Sequence, residues 1–252
     1  MESKKELLGL CDGFIAQSEA EHTIKLWEKP VIAIADGTDE AFAELKHAVH
    51  PEHLMPEDFV EDAKSVIVIF VPFTKEVVES NTGGEYSSAL WDEAYDETNL
   101  MLDKLNQYVC QELHSRGFSA NGTPSKINPE RKAITSFWSH RHVGVIAGLG
   151  TLGINNMIIT SSGCAGRMTS VVTDAVFAYD EKIKEERCLA KKNGSCMQCM
   201  DKCPEAAISC VDGKYTVDKR KCVYQIYEKG KEHHVKEGGG NCGKCSCGVY
   251  CS

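Results

Sequence analysis

Cysteine is concentrated in the C-terminal quarter of this 252-residue chain, at spacings that suit metal ligation. Ten of its thirteen cysteines follow residue 187, and three of those fall in the run GSCMQCMDKCPEAA, residues 194–207. The N-terminal stretch MESKKELLGL contains no apolar segment of the length that a secretory signal needs, so a secreted disulfide scaffold is not expected. Thiolates bind soft metals, and metal binding is the chemistry we expect of these residues.

Two kinds of metal site are compatible with C-x-x-C pairs. A zinc site would be complete with the pairs 196/199 and 242/245, and would leave the other tail cysteines unexplained. The run C-x-x-C-x-x-x-C-P is instead typical of bacterial ferredoxins, in which the cysteine before the proline serves a second cluster. The sequence therefore predicts two [4Fe–4S] clusters, one held by Cys188, Cys196, Cys199 and Cys251 and the other by Cys203, Cys222, Cys242 and Cys245. Cys247 is the alternative to Cys251 as the fourth ligand of the first of these clusters.

The cysteine-poor part of the chain has the patterns of an α/β or α+β fold. Continuous β-branched runs at 31–35 and 65–71 predict strands buried on both faces, and 169–177 predicts a further strand. Apolar residues at helical spacing predict helices at 5–17, 39–49 and about 87–116. The charged stretch YDEKIKEER marks a predicted boundary between a body, residues 1–180, and a tail, residues 181–252.

Smaller features of the chain add three expectations. PEAAIS, which follows Cys203, predicts a short helix that begins at Pro204. Cysteines outside the two ligand sets are expected to be small buried side chains, and these are Cys11, Cys110 and Cys210. Cys164 lies between glycines in SGCAGR, and we expect a buried side chain there as well, with a reactive thiol as the alternative.

The body also contains a literal G-x-G-x-x-G, from Gly148 to Gly153. A dinucleotide site needs a strand before these glycines and a long helix after them. Here the upstream residues SFWSHRHVGVIA have a helical pattern, and INNMIITSSG downstream is too short for the required helix. We therefore expect the glycines to form a tight turn between packed elements.

The overall charge excludes some partners. The formal net charge is −9, and no run of lysine and arginine stands out. Binding to nucleic acid or to an anionic membrane relies on basic surface, so neither is expected. Because no segment reaches about 18 consecutive apolar residues, a spanning helix is not expected either, and we predict a cytoplasmic protein.

The order of motifs resembles a known family. SHRHVGVIAGLGTLGINNMIIT, then GCAGRMTSVVTDA, then the two-cluster tail resemble the epoxyqueuosine reductases and their relatives, the reductive dehalogenases. VEDAKSVIVIFVPF, residues 60–73, is similar to a strand-forming segment of that family. The likeness is greatest to a short branch from anaerobes. It implies a nitroreductase-like body that holds cobalamin beside the nearer cluster, with a C-terminal ferredoxin-like domain carrying both clusters.

The chain also departs from that family. RKAITSFWSHRH stands where the epoxyqueuosine reductases carry an acidic proton donor, and it contains no carboxylate. The helical-repeat extension that helps them hold tRNA is not found, so tRNA is not expected as a substrate. Histidine is the side chain most easily tuned to donate a proton near neutral pH, which makes His140 and His142 the predicted catalytic residues. The predicted cofactor contacts are Ser139, Arg141, Gly148, Gly150, Asn155 and Asn156.

Two functions remain open at this point. The first is a cobalamin-dependent iron–sulfur reductase of a small molecule, supplied by an external donor of the ferredoxin or flavodoxin type. Electrons would enter through the cluster of Cys203 and Cys222 and leave through the other cluster to a cofactor in the body. The second is a two-cluster carrier that passes electrons to a separate redox partner protein. We prefer the enzyme.

Overall fold

A four-stranded antiparallel sheet forms the centre of the body. The computed structural model describes residues 3–123, 134–230, 233 and 241–252. The strands run in the order β1-β2-β6-β3 across the sheet. Their bounds are β1 Val31–Asp36, β2 Ser65–Pro72, β3 Ala120–Gly122 and β6 Gly166–Thr173, and a separate two-stranded ladder joins β4 Thr151–Leu152 to β5 Ile158–Ile159.

Helices cover both faces of this sheet. All eight residues of β2 are buried, because alternate side chains enter two different cores. One core lies against helices α1 and α4, and the other against α2 and α5. The helices of the body are α1 Lys4–Glu19, α2 Ala41–Ala48, α3 Lys75–Ser80, α4 Ala89–His114 and α5 His140–Ile146.

The longest helix, α4, begins and ends where its sequence predicts. The Ser88 hydroxyl accepts a hydrogen bond from the Trp91 N–H at 3.1 Å and so satisfies a free donor of the first turn. Gly117 follows the last turn with a φ of 84°, a conformation that glycine adopts without strain. α4 lies along the sheet and presents its N-terminal half to the tail.

The tail consists of short elements. These are α6 Leu189–Asn193, α7 Gln198–Asp201, the hairpin of β7 Ile208–Val211 and β8 Lys214–Val217, α8 Lys219–Val223, a π-helical turn Tyr224–Lys229 and a 3₁₀ turn Lys244–Ser246. Their apolar side chains form a third core around the cysteines. No helix within the described ranges is long and apolar enough to cross a bilayer.

Three local expectations need correction. PEAAIS does not form a helix: a turn leads directly into β7, where Ile208 pairs with Val217. β6 begins at Gly166, three residues earlier than expected, and ends at Thr173, because the following residues turn away to bond Ser119 and Ser65. Cys210 is exposed on the hairpin, whereas Cys11 and Cys110 are buried as expected.

Candidate functional site: two thiol groups between tail and body

Four cysteines surround one small cavity in the tail, and we call them the first thiol group: Cys188, Cys196, Cys199 and Cys251. Burial, together with the neighbouring thiols Cys251, Cys188 and Cys196 in that order, raises the pKa of Cys199 to about 12. All four thiols line the same cavity and so lie close together. The surrounding side chains are mostly aliphatic or thioether groups: Ile154, Ile159, Ile208, Val249, Met157, Met197 and Met200.

A second set of four lies between the tail and the body, and we call it the second thiol group: Cys203, Cys222, Cys242 and Cys245. Burial holds the pKa of Cys245 well above its ordinary value, and Cys242, Cys222 and Cys203 add to this effect. The first group also acts on Cys245 through Cys199, so the two groups are neighbours. Both sets are those that the spacing predicts, although ligation itself stays a prediction.

A single metal ion and an iron–sulfur cluster hold their thiolates at different distances. Zinc holds thiolates at about 2.3 Å, which brings the sulfurs to about 3.8 Å from one another. Within the described parts of the chain, no three Cys, His, Asp or Glu side chains come together as one ion would require. A cubane spreads its thiolates over four irons, so its ligands stand farther apart. Because only thiolates ligate, loading would release protons from these buried thiols.

A buried lysine fastens the second group to the body. The Lys244 ammonium donates to the Asn81 carbonyl (3.1 Å), the Asn81 Oδ1 (3.0 Å) and the Gly83 carbonyl (2.6 Å). The Asn81 amide donates in turn to the Cys242 carbonyl at 2.9 Å. The loop before α4 therefore binds the C-G-K-C segment through one asparagine. Sequence reasoning missed Lys244, because its partners lie more than 160 positions away.

Two further cysteines, Cys247 and Cys164, have different surroundings. Cys247 is fully buried in the body core, where Asn81 Nδ2 donates to its sulfur at 3.5 Å, and it is not among the residues lining the first cavity. This favours Cys251 as the fourth ligand of the first group. Cys164 is buried as expected, and its sulfur lies 3.8 Å from that of Cys251, a contact with a predicted ligand that the sequence did not indicate.

The N-terminal end of α5 carries the predicted catalytic residues. Ser139 donates its N–H to His53 Nε2 at 3.0 Å, and its hydroxyl lies 2.7 Å from His142 Nδ1. Burial, together with the positive charge of Arg141 and smaller effects of His53 and Lys219, lowers the pKa of His142 to about 4. The lowered pKa favours the neutral imidazole at pH 7, and the catalytic role of His142 stays a prediction.

His140 lies on the same turn of α5 in a different setting. Its Nδ1 is 3.3 Å from the Ser170 hydroxyl, which also accepts from the Trp138 indole at 2.9 Å. Ser170 belongs to β6, so the ring of His140 is fixed against the central sheet. The catalytic roles of both histidines stay predictions, and His140 is the one whose ring contacts the central sheet.

Arg141 joins the body to the second thiol group. Its guanidinium donates to the Asn156 carbonyl at 2.6 Å. Burial lowers the pKa of Arg141, and the thiols of Cys245 and Cys222 act in the opposite direction. Asn155 Nδ2 donates to the Cys245 carbonyl at 2.8 Å. Asn155 also lines the cavity of the first group, so the expectation that electrons leave through the first group stays a prediction.

The glycine turn does not form an open cradle. Gly148 has a φ of 77°, and a Cβ there would overlap the Glu181 carbonyl oxygen. A Cβ on Gly150 would overlap the Ile159 carbonyl oxygen. These glycines let two backbone segments approach each other, so the expectation of a tight turn between packed elements is confirmed.

The predicted cofactor contacts are likewise mostly engaged within the protein. The side chain of Asn155 uses its amide on Cys245 and its oxygen on the Met157 N–H. Asn156 has a φ of 60° and binds Arg141 through its carbonyl. The described residues at this turn therefore do not fit a flat macrocycle, and the cofactor contacts assigned to them stay predictions.

With this geometry the chain can be compared with known proteins. No protein-family model matches it. Its sequence is similar to epoxyqueuosine reductases. The enzyme from Cellulophaga algicola is 26% identical over 173 residues, which cover 68% of this chain and 50% of that protein. The enzyme from Bacillus anthracis is 27% identical over 208 residues, covering 78% of this chain and 50% of that protein. The chain spans about half the length of these curated relatives.

Solved structures share the fold. Epoxyqueuosine reductase from Streptococcus thermophilus matches with a TM-score of 0.51 at 17% identity, covering 93% of this chain and 64% of that one. A catabolic reductive dehalogenase in complex with 3-bromo-4-hydroxybenzoic acid matches with a TM-score of 0.60 at 16% identity, covering 92% and 30%. The family resemblance and the mixed α/β architecture predicted from the sequence are confirmed. The nitroreductase-like body and the ferredoxin-like tail stay predictions.

Proposed function

We propose that this chain is an iron–sulfur oxidoreductase of the epoxyqueuosine reductase and reductive dehalogenase type, with one [4Fe–4S] cluster on each thiol group. The observation that carries the proposal is the grouping of eight cysteines into two adjacent sets of four, one of which accepts a hydrogen bond from Asn155 of the body and acts electrostatically on Arg141 of α5. A lone electron-transfer tail would not need this attachment to the body. The similarity to two curated epoxyqueuosine reductases supports the same reaction class.

The chain's own residues have defined parts in this proposal. The eight thiolates hold the clusters, which pass single electrons. Arg141 keeps a positive charge beside the second cluster, at the place where electrons reach the body. His140, held by Ser170, is the candidate proton donor to a small-molecule substrate. Electrons come from an external donor of the ferredoxin or flavodoxin class.

Cobalamin is the cofactor that the comparison implies, since one reductive dehalogenase of this fold is described as B12-dependent. Cobalt would supply reductive chemistry that side chains cannot perform. The residues of the glycine turn do not fit a corrin, so we assign no step to one. A second candidate function, the electron carrier, is favoured by the same closed turn, because a carrier needs no cofactor in its body.

Metal analysis tests the clusters. After anaerobic reconstitution we expect about eight iron and eight acid-labile sulfide per chain, as two cubanes require. About one zinc per chain without sulfide would contradict the proposal.

Absorption spectroscopy then separates the two candidate functions. The reconstituted protein is titrated with cobalamin, and bound corrin is measured by equilibrium dialysis. Binding of about one equivalent with a changed corrin spectrum supports the reductase. Failure to bind corrin or flavin, with rapid one-electron transfer to a protein acceptor, supports the carrier.

A further inference from the structure

Lys244 places a buried positive charge inside the ligand loop of the second thiol group. It lies between Cys242 and Cys245 in sequence and is only 2% exposed. Its three hydrogen bonds go to oxygens of Asn81 and Gly83, none of which carries a charge. These bonds satisfy the three N–H donors of an ammonium while leaving its charge uncompensated by the acceptors themselves.

The same residue approaches the ligand sulfur through its backbone. The Lys244 N–H donates to the Cys242 thiol, and its ammonium acts electrostatically on that thiol as well. The buried carboxylate of Asp92 opposes this effect and acts more weakly on Cys242. Asp92 Oδ1 accepts from Asn241 Nδ2 at 2.9 Å. Both charges are fixed in position by hydrogen bonds, so neither is free to move away from the cluster site.

A second cation faces the other side of this group. The guanidinium of Arg141 acts on Cys245 and Cys222, and its bond to Asn156 holds it there. Lys202, which binds the Thr82 carbonyl at 3.0 Å, adds a more accessible positive charge next to Cys203. The second thiol group therefore has cations near it from both the tail and the body, of which Lys244 is buried and Arg141 and Lys202 are partly exposed.

The first thiol group has a different environment. Arg187 is the cation that lines its cavity, and it is partly exposed, so solvent screens its charge. The carboxylate of the adjacent Glu186 accepts the Cys188 N–H at 2.9 Å and places a negative charge next to that ligand. The rest of the wall is largely apolar. Reduction adds one negative charge to a cluster, and an apolar wall stabilises this charge less than buried cations do.

We propose that Lys244 and Arg141 raise the reduction potential of the second cluster above that of the first, which sets the direction of electron flow. A one-electron donor of the ferredoxin or flavodoxin class reduces the first cluster from the 2+ to the 1+ state. The first cluster is reoxidised as it passes that electron to the second, and the second is reoxidised as it passes the electron to the small-molecule substrate proposed above; two such transfers complete a two-electron reduction. The inference rests on the two-cluster function proposed above, and it reverses the order expected from the sequence.

Redox titration followed by electron paramagnetic resonance tests this inference. Cys196→Ser and Cys222→Ser identify the signal that belongs to each group. In the parent protein the second cluster should have the higher potential. Lys244→Met should lower the reduced-to-oxidised ratio of the second cluster at least tenfold at a fixed potential, which is about 59 mV for one electron. Lys244→Arg should preserve most of the parent value, because it keeps the charge.

Two more variants test the direction in which the reduction potential of the second cluster shifts. Asp92→Asn removes a negative charge with little change in shape, so it should move the second potential upward, opposite to Lys244→Met. Lys191→Met is the control, because this lysine lies on the exposed side of α6 near the first group. It should leave the second potential unchanged, and no Lys244 variant should shift the first potential appreciably.

Iron content keeps this test separate from the test of function. If the parent holds about eight iron per chain but its second potential is equal to or below the first, the inference is wrong and the function stands. If the parent does not hold iron and sulfide, both fail. Should Lys244→Met lose iron, Lys244→Arg and Asp92→Asn still decide the matter. If the reduction potential of the second cluster is the same in Asp92→Asn and in Arg141→Gln as in the parent protein, the inference is overturned.

Discussion

The two thiol groups contain the same four ligands but differ in what holds them. The first group is enclosed by the tail's own aliphatic and thioether side chains, with the turn between β4 and β5, β5 itself and Cys164 as the wall on the body side. The second group is held by hydrogen bonds that cross into the body through Asn81 and Asn155. Apolar side chains exert little electrostatic effect on a cluster that they surround. Hydrogen bonds and positive charges from the body instead act directly on the cluster that they would surround.

We expect the largest difference between the two groups when a single predicted ligand is removed from each. Cys199→Ala should eliminate the first cluster and Cys203→Ala the second, each with the loss of about half the iron, because the cysteine before the proline serves the remote cluster. Iron analysis and electron paramagnetic resonance measure both losses. Cys210→Ala, on the exposed hairpin, is the control and should keep both clusters. If Cys199→Ala and Cys203→Ala damage one and the same signal, the two groups are wrongly divided.

The glycine turn between α5 and β4 gives the next largest effect. Gly148→Ala adds a Cβ that overlaps the Glu181 backbone at a φ of 77°, and we expect a loss of about 3 kcal/mol of unfolding free energy or insoluble protein. Gly194 has a similar φ of 72° but open space around it, so Gly194→Ala should cost only about 1 kcal/mol. Denaturant unfolding measures both. If both variants lose the same free energy of unfolding, the close approach of Gly148 to Glu181 does not contribute to stability.

Asn81 tests the polar attachment of the second group. Asn81→Ala removes one acceptor of the buried Lys244 and the donor to Cys242, and we expect a loss of about 1–3 kcal/mol. The second cluster should also release iron faster than the first when a chelator is added. Asn193→Ala, at an exposed asparagine beside the first group, should change neither quantity. Equal release from both clusters would contradict the polar attachment.

The smallest effect concerns pH. The pKa of His142 falls from its ordinary value near 6.5 to about 4 on folding, so the unfolded chain binds more protons between these values. Stability should therefore decrease as the pH falls from about 6.5 towards 4. His142→Asn should flatten this decrease, measured by denaturant unfolding at pH 7 and pH 5. His47→Asn, at an exposed histidine of α2, should leave it unchanged. A slope that His142→Asn does not alter would contradict the neutral state assigned to His142.

The sequence by itself determined the features that depend on nearby residues. The bounds of α4 follow from Ser88 and Gly117, which act on backbone groups within a few positions. The runs of β-branched residues located β1 and β2 for the same local reason. The cysteine spacing divided the thiols into the two groups that the structure brings together. PEAAIS was misread because its helical propensity is weaker than the pairing of β7 with β8.

Only the tertiary structure decided which residues of the body meet the second thiol group. Lys244 meets Asn81 across 163 positions, and Asn155 meets Cys245 across 90. Gly148 is required by a backbone segment that follows it by 33 residues, so its motif did not reveal its role. Capping and periodicity act over one or two turns and can be read from the chain. The partner of a buried charge is chosen instead by the packing of distant elements, since folding must supply some neutral or opposite group to whatever it buries.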